Sequence, residues 1–208
     1  MSTHVSDFVH RFVPATDGQK ITLLMLHGTG GDENGLLDLG RALMPGAALL
    51  SPRGKVLESG MPRFFRRLAE GVFDVEDLKA RTHELADFVS AAAREYDFDA
   101  EKVVAAGYSN GANIAASTLL LRPGTLCGAV LLRPMVPLVP DDRPDLSDVS
   151  VFVAAGRRDP LVAPDNTREL VSMLQELGAR VSLNWNPAGH ELARDEIESA
   201  GEWLREHF

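Results

Sequence analysis

The sequence predicts an α/β fold with a mostly parallel sheet of about seven strands and helices on both faces. Short apolar runs typical of strands alternate with longer stretches of helical periodicity through most of the 208 residues. Polar residues suited to chemistry come just after predicted strands, at the edge where parallel sheets bind ligands. These residues are His27, Ser109, Asp159 and His190.

The first half of the chain opens with a candidate edge strand at residues 5–13. Residues 21–27 form a continuous apolar run, as in a strand that is buried on both faces. Leucines at helical spacing predict a helix at residues 32–43, and a short apolar run predicts a strand at residues 47–51. Val75–Tyr96 has the pattern of a long amphipathic helix.

The second half of the chain continues the alternation. Residues 103–106 are an apolar strand candidate, and a helical pattern follows at residues 112–121. Three further apolar runs predict strands, and a helical stretch follows each of the last two. The strands are expected at Gly128–Leu132, 149–155 and 180–185, and the helices at 164–177 and 192–207.

Two segments have no clean period and are expected to be loops over one edge of the sheet, where they would shape a pocket. Residues 53–74 are rich in Gly, Arg and Phe, and residues 133–148 are rich in Pro. Arg63, Arg66 and Arg67 either attract an anionic substrate or pair with nearby carboxylates. The candidate pocket residues are Gly30, Phe64, Phe65, Phe73, Met135, Val136 and Leu138.

Composition excludes several classes of protein. The formal net charge is −9 and the isoelectric point is about 5.1, which argues against nucleic acid or an anionic membrane as a partner. Cys127 is the only cysteine, so no internal disulfide forms. Residues 1–20 do not have the pattern of a signal peptide, and no apolar run is long enough to span a bilayer. We therefore expect a single cytoplasmic domain, residues 1–208, without stable membrane association.

The most informative motif is Gly107-Tyr108-Ser109-Asn110-Gly111, between a predicted strand and a predicted helix. This is the G-x-S-x-G pattern of a nucleophile elbow, in which a strained turn exposes the serine hydroxyl above the sheet. The pentapeptide alone is a weak signal, but its position after a buried strand makes it much stronger. Ser109 is the candidate nucleophile.

A serine nucleophile needs a base, and the base needs an acid that orients it. In folds with this nucleophile elbow, the acid and then the base follow the serine along the chain. Four of the six histidines precede Ser109, and His207 lies in the last turn of the final predicted helix. His190, in a loop after a strand, remains as the base. Asp159 lies just past the strand at 149–155 and is the candidate acid.

Two backbone N–H groups would form the oxyanion hole. The residue after the nucleophile supplies one, which is Asn110, and the glycine-rich turn after residues 21–27 supplies the other. Thr29 is preferred in that turn and Gly30 comes second. His27 is expected to be a structural residue.

Cofactor motifs are absent from the sequence. A dinucleotide-binding fingerprint would need a glycine at position 33, which is Glu33, and there is no Walker A sequence. No second histidine follows His190 at the H-E-x-x-H spacing of zinc enzymes. The sequence predicts neither a cofactor nor a metal.

These motifs together resemble the α/β-hydrolase superfamily, and more narrowly its phospholipase/carboxylesterase family, which includes acyl-protein thioesterases. The resemblance covers roughly residues 20–207. The segment from Pro62 to Asp74 is similar to small bacterial carboxylesterases. Thioesterases commonly have Gln where this chain has Asn110, which points away from protein depalmitoylation. The resemblance implies a fold without a large lid domain, the triad Ser109, Asp159 and His190, and the oxyanion residues Thr29 and Asn110.

The function implied is a carboxylesterase that hydrolyses small to medium esters by a Ser-His-Asp acyl-enzyme mechanism. A thioesterase or lysophospholipase on the same triad, or a catalytically silent binding protein on the same fold, are the alternatives. Dienelactone-type hydrolysis would need a cysteine nucleophile, which the elbow lacks. The expected partner is a small-molecule ester, and small apolar edges also permit a homodimer.

Overall fold

A seven-stranded sheet forms the centre of the computed structural model, which describes residues 4–16 and 18–208. Residues 1–3 and Asp17 of the predicted domain lie outside this description. In chain order the strands and helices are β1 (His10–Val13), β2 (Thr22–Leu26), α1 (Leu37–Leu43), β3 (Ala48–Pro52), β4 (Val56–Glu58), β5 (Met61–Arg63), β6 (Arg67–Ala69), β7 (Val72–Phe73), α2 (Val75–Tyr96), β8 (Val103–Tyr108), α3 (Asn110–Leu121), β9 (Gly128–Leu132), β10 (Ser150–Gly156), α4 (Pro164–Glu176), β11 (Arg180–Asn186) and α5 (Arg194–His207).

The order of strands across the sheet is β1-β3-β2-β8-β9-β10-β11. Only β1 is antiparallel to its neighbour, with His10 opposite Pro52, and the other six strands pair in parallel. The chain leaves β2 toward β3 on one side and later returns to β8 on the other. Such a reversal opens a crevice at the carboxyl ends of the strands. The predicted mostly parallel sheet is confirmed.

Both faces of the sheet are covered, because alternate residues of each buried strand point to opposite sides. On β2, Leu24 and Leu26 pack in a cluster with α2, α3 and α4. Leu23 and Met25 pack on the other side in a cluster with α1 and α5. Helices on both faces are therefore confirmed. No helix within residues 4–16 and 18–208 is long and apolar enough to cross a membrane.

The prediction of an irregular loop at residues 53–74 is wrong in part, since two short hairpins form there. β4 pairs with β5 and β6 pairs with β7, both antiparallel. Ser59 and Gly60, with φ of 51° and 82°, join β4 to β5, as expected of a two-residue hairpin turn. The Ser-Gly pair was the sequence signal that could have predicted this hairpin turn. The second irregular segment, residues 133–148, contains no helix or strand, as predicted.

Two predicted elements are each five residues shorter than expected. The helix predicted at 32–43 begins only at Leu37, because Asp32 Oδ1 accepts the backbone N–H groups of Asn34 and Gly35 and holds a turn there. The edge strand predicted at 5–13 forms only at His10–Val13, after a single 3-10 turn at Val5–Asp7.

Candidate active site

Ser109 lies in a strained turn between β8 and α3. Its φ is 52° and its ψ is −112°, a positive-φ conformation that a residue other than glycine rarely adopts. The Ser109 N–H donates to Leu132 O at 2.8 Å, and Ser109 O accepts the Asn113 N–H at 3.0 Å. A Cβ on Gly111 would lie 1.9 Å from Leu26 O, so only glycine lets α3 approach β2 this closely.

The side chains of Ser109, His190 and Asp159 form one hydrogen-bonded chain. His190 Nδ1 lies 2.8 Å from Asp159 Oδ2, and His190 Nε2 lies 2.9 Å from Ser109 Oγ. A carboxylate only accepts, so Nδ1 carries the proton in the neutral ring. Nε2 is then the acceptor for the Ser109 hydroxyl. The structure thus brings together three residues that are 81 and 31 positions apart along the chain.

Asp159 is held rigidly. Its Oδ1 accepts the N–H groups of Leu161 at 2.8 Å and Val162 at 3.1 Å, which leaves Oδ2 for His190. The Asp159 side chain is 1% exposed. Two backbone donors and the imidazole N–H therefore satisfy this buried carboxylate.

Arg133 anchors the loop that carries His190. Its side chain forms two hydrogen bonds, at 2.9 and 3.0 Å, with the carboxylate of Glu196 in the first turn of α5, and both side chains are fully buried. The same guanidinium donates to Gly189 O at 2.9 Å and to Glu191 O at 2.6 Å. Arg133 thus binds the backbone carbonyls of the residues on both sides of His190. Arg133 was not among the predicted site residues, because nothing in the local sequence distinguishes it from other loop arginines.

Tyr108 also contacts the histidine. Its O–H donates to His190 O at 3.1 Å, and the two ring centroids are 5.5 Å apart. Burial raises the pKa of Tyr108, so the phenol remains protonated and able to donate. Tyr108 occupies the variable position before Ser109 in the elbow motif.

Two backbone N–H groups beside Ser109 have no acceptor among the described residues, those of Thr29 and Asn110. Asn110 is the first residue of α3, where no helical acceptor is available. The Gly30 N–H donates to Pro62 O at 3.0 Å and is therefore engaged. Of the two candidates in this turn, the structure leaves only the Thr29 N–H free.

His27 holds the glycine-rich turn in place. Its Nδ1 donates to Gly28 O at 2.7 Å, and its Nε2 accepts the Gly54 N–H at 3.0 Å. Both ring nitrogens are used in the neutral form, and burial lowers the pKa of His27 from its usual 6.5. This agrees with the structural role expected from the sequence.

We expect His27 to make the protein less stable as the pH falls below about 6.5, because the unfolded chain then binds a proton that the folded chain resists. The free energy of unfolding should therefore rise with pH through this window, with a limiting slope of about 1.4 kcal/mol per pH unit. Urea unfolding between about pH 5 and pH 8 measures it. The slope should be smaller in His27→Gln and unchanged in His83→Gln, which alters an exposed histidine. Equal slopes in all three proteins would contradict the prediction.

A cavity of about 320 Å³ opens above Ser109. Of the seven candidate pocket residues, it is lined by Phe73 and Met135. Among its polar lining residues, Asn113 was not predicted, whereas Arg63 and Arg67 were considered as residues that either attract an anionic substrate or pair with carboxylates. The full lining is Thr29, Arg63, Arg67, Glu70, Gly71, Phe73, Tyr108, Ser109, Asn110, Asn113, Arg133, Met135, Leu161, Val162 and His190.

The other five candidate pocket residues do not line this cavity. Phe64, Phe65 and Leu138 are buried in the core below the loops, at 2%, 0% and 7% exposure, and Val136 packs against the same core. Large apolar side chains gain more by leaving water completely than by lining an open cleft. Gly30 is exposed and lies outside the cavity.

The three arginines of the segment differ in their surroundings. Arg66 is exposed and pairs with Asp74 and Asp77, outside the cavity. Arg63 and Arg67 line the cavity. Within residues 4–16 and 18–208 there is no group of three or more His, Cys, Asp or Glu side chains that could hold a metal ion.

Comparisons with known proteins agree with this fold. A family model described as phospholipase/carboxylesterase matches residues 10–208. "Putative hydrolase MhqD" of Bacillus subtilis (strain 168) is 51% identical over 184 residues, 88% of this chain and 92% of that protein.

Two solved structures are also similar. The Bacillus cereus carboxylesterase has a TM-score of 0.95 and 49% identity, over 97% of this chain and 95% of that one. A carboxylesterase from Mesorhizobium loti has a TM-score of 0.89 and 31% identity, over 99% and 97% of the two chains. The chain therefore belongs to the phospholipase/carboxylesterase family of ester-hydrolysing α/β-hydrolases, as its motifs had predicted.

Proposed function

We propose that this protein is a serine carboxylesterase that hydrolyses small to medium carboxylic esters through an acyl-enzyme intermediate. The observation that carries the proposal is the hydrogen-bonded chain from Asp159 through His190 to Ser109, which ends in an open cavity. Each group has the partner that nucleophilic catalysis requires. Two relatives named as carboxylesterases support the same chemistry.

In the first step Ser109 Oγ attacks the ester carbonyl while its proton passes to His190 Nε2. Asp159 accepts the hydrogen bond from Nδ1 and stabilises the imidazolium that forms. The carbonyl π electrons move to oxygen, and the resulting oxyanion is bound by the N–H groups of Thr29 and Asn110. Both groups lack another acceptor in the described chain, so they are ready to donate to the charge as it develops.

The tetrahedral intermediate then collapses. The bond to the alcohol oxygen breaks, and His190 gives the proton from Nε2 to the departing alcohol. Water enters, loses a proton to Nε2 and attacks the acyl carbon of the Ser109 ester. The second collapse releases the carboxylic acid and restores Ser109 with its proton. No step requires a cofactor.

A panel of p-nitrophenyl esters tests this function. We expect turnover of the acetate and butyrate with a higher kcat/KM than the octanoate, because the cavity is about 320 Å³ and has many polar residues in its lining. A small fluorophosphonate should label Ser109, as read by mass spectrometry, and heat-denatured protein should not be labelled. A folded protein that neither hydrolyses the esters nor becomes labelled at Ser109 would contradict the proposal and favour a binding protein.

A further inference from the structure

We infer that Arg63 forms an anion-binding subsite beside Ser109, and that the ester hydrolysed here carries a carboxylate elsewhere in the molecule. The inference rests on the proposed esterase function and specifies its substrate class. Arg63 lies at the end of β5 and lines the same cavity as Ser109 and Thr29.

The Arg63 guanidinium is held in place, but not all of its hydrogen-bond donors have acceptors in the described chain. Its side chain is 4% exposed. Nη1 donates to Thr29 Oγ1 at 2.5 Å, and Nε donates to Phe65 O at 3.2 Å. No hydrogen bond within the described ranges involves Nη2. The arginine is thus held by two contacts while one nitrogen, with two N–H groups, remains available to a ligand.

The charge around Arg63 is incompletely balanced. Glu58 is its ion-pair partner, with 3.3 Å between Arg63 Nε and Glu58 Oε2. The same carboxylate accepts hydrogen bonds from Arg67 Nε at 2.9 and 3.2 Å and pairs with Arg67 Nη2 at 2.7 Å. One carboxylate therefore serves two guanidinium groups. Glu70 also lines the cavity, but the residue is exposed to solvent.

Burial makes a further anion favourable at this point. Loss of solvent lowers the pKa of Arg63, which shows that its charge is less stabilised here than in water. A second carboxylate bound at Nη2 would restore part of the lost stabilisation. Charged hydrogen bonds in a partly desolvated site are stronger than neutral ones.

Another side-chain donor lies in the same cavity wall. Asn113 Oδ1 accepts the Met135 N–H at 2.7 Å, and no described residue accepts from its Nδ2. A purely alkyl substrate would leave this donor without an acceptor, which is unfavourable. A substrate with additional oxygen acceptors would not.

The test compares carboxylate esters with neutral amides of nearly the same shape. Monoethyl succinate and ethyl succinamate carry the carboxylate or the amide on the acyl side of the ester. Acetoxyacetate and acetoxyacetamide carry it on the alcohol side. We expect kcat/KM of the wild-type protein to be about tenfold to a hundredfold higher for the carboxylate in at least one pair. In Arg63→Met that ratio should fall to near one, with a smaller change for the amide.

Arg66→Met is the matched control. It removes the same charge from the same segment, but Arg66 is exposed, paired with Asp74 and outside the cavity. The carboxylate preference should survive in this variant. If Arg66→Met lost the preference as fully as Arg63→Met, long-range attraction by the whole protein would explain it, and the subsite would be disproved.

A merely structural role of Arg63 would lower activity on both members of a pair by the same factor and leave their ratio unchanged. That result would overturn the inference, as would a wild-type protein that hydrolyses amide and carboxylate esters equally. In both cases, cleavage of the ester bond in the amide-bearing substrates would still support the proposed esterase function. If Arg63→Met does not fold, Arg63→Gln keeps a donor for Thr29 without the charge, and a wild-type ratio near one would overturn the inference without any variant. If the protein hydrolysed none of these four esters and none of the p-nitrophenyl esters, the proposed esterase function itself would be refuted.

Discussion

Replacing Ser109 by alanine is expected to lower kcat for ester hydrolysis by about four to six orders of magnitude. In the proposed mechanism the substitution removes the oxygen that would form the acyl-enzyme, while the proposed oxyanion donors at Thr29 and Asn110 remain. Those donors and the cavity should still give a small residual rate above that of water. Steady-state hydrolysis of p-nitrophenyl butyrate by the two purified proteins measures the difference.

The loss should not come from unfolding. The Ser109 side chain makes no capping hydrogen bond to α3, and its contact with His190 is the one side-chain hydrogen bond found for it in the described chain. The thermal unfolding midpoint of Ser109→Ala should therefore stay close to that of the wild type. Ser90→Ala alters an exposed serine on α2 whose hydroxyl donates to Ala86 O within the same helix; it is the control and should keep full activity. An active Ser109→Ala enzyme would refute the assigned nucleophile.

Replacing Arg133 by methionine is expected to reduce the free energy of unfolding by about 3–5 kcal/mol. The change leaves the carboxylate of Glu196 fully buried without a counter-charge, and it also frees the carbonyl oxygens of Gly189 and Glu191. Because those carbonyls flank His190, kcat should fall as well. Urea unfolding and ester hydrolysis measure the two effects.

The double variant Arg133→Met/Glu196→Met separates the two contributions. It removes both charges, so we expect most of the stability to return. The loop around His190 would still lack its anchor, so kcat should remain low. Arg194→Met breaks an exposed ion pair with Glu198 on the same helix and should change stability by less than about 1 kcal/mol. An Arg133→Met protein as stable as this control would show that the buried pair contributes little.

Much of the fold was predictable because its signals are local. Val75–Tyr96 and Gly128–Leu132 have the predicted bounds, since amphipathic periodicity and an uninterrupted apolar run are both visible in a short window. Where a side chain competes with the helix for backbone N–H donors, the periodicity of apolar residues mispredicts the start of the helix. The Asx turn at Asp32 shortened α1 in this way.

The candidate catalytic residues were also accessible to sequence reasoning. Parallel strands end at one edge of the sheet, so polar residues that follow different strands are brought together there. That rule led to Ser109, Asp159 and His190, and the structure places them within hydrogen-bonding distance. For the second oxyanion donor the sequence already favoured Thr29 over Gly30. The structure adds a physical reason, because the Gly30 N–H donates to Pro62 O, a contact that joins two distant loops.

The order of the strands in the central sheet along the chain, the elbow around Ser109 and the family of the protein were predictable from the sequence, since each depends on residues near one another in the chain or on motif identity. Tertiary packing set which loop residues line the cavity. Phe64 and Phe65 went to the core and Arg63 to the cavity wall, although all three are neighbours in sequence. It also decided that Arg133 pairs with Glu196. Both outcomes depend on burial and on contacts between distant segments, which local patterns do not encode.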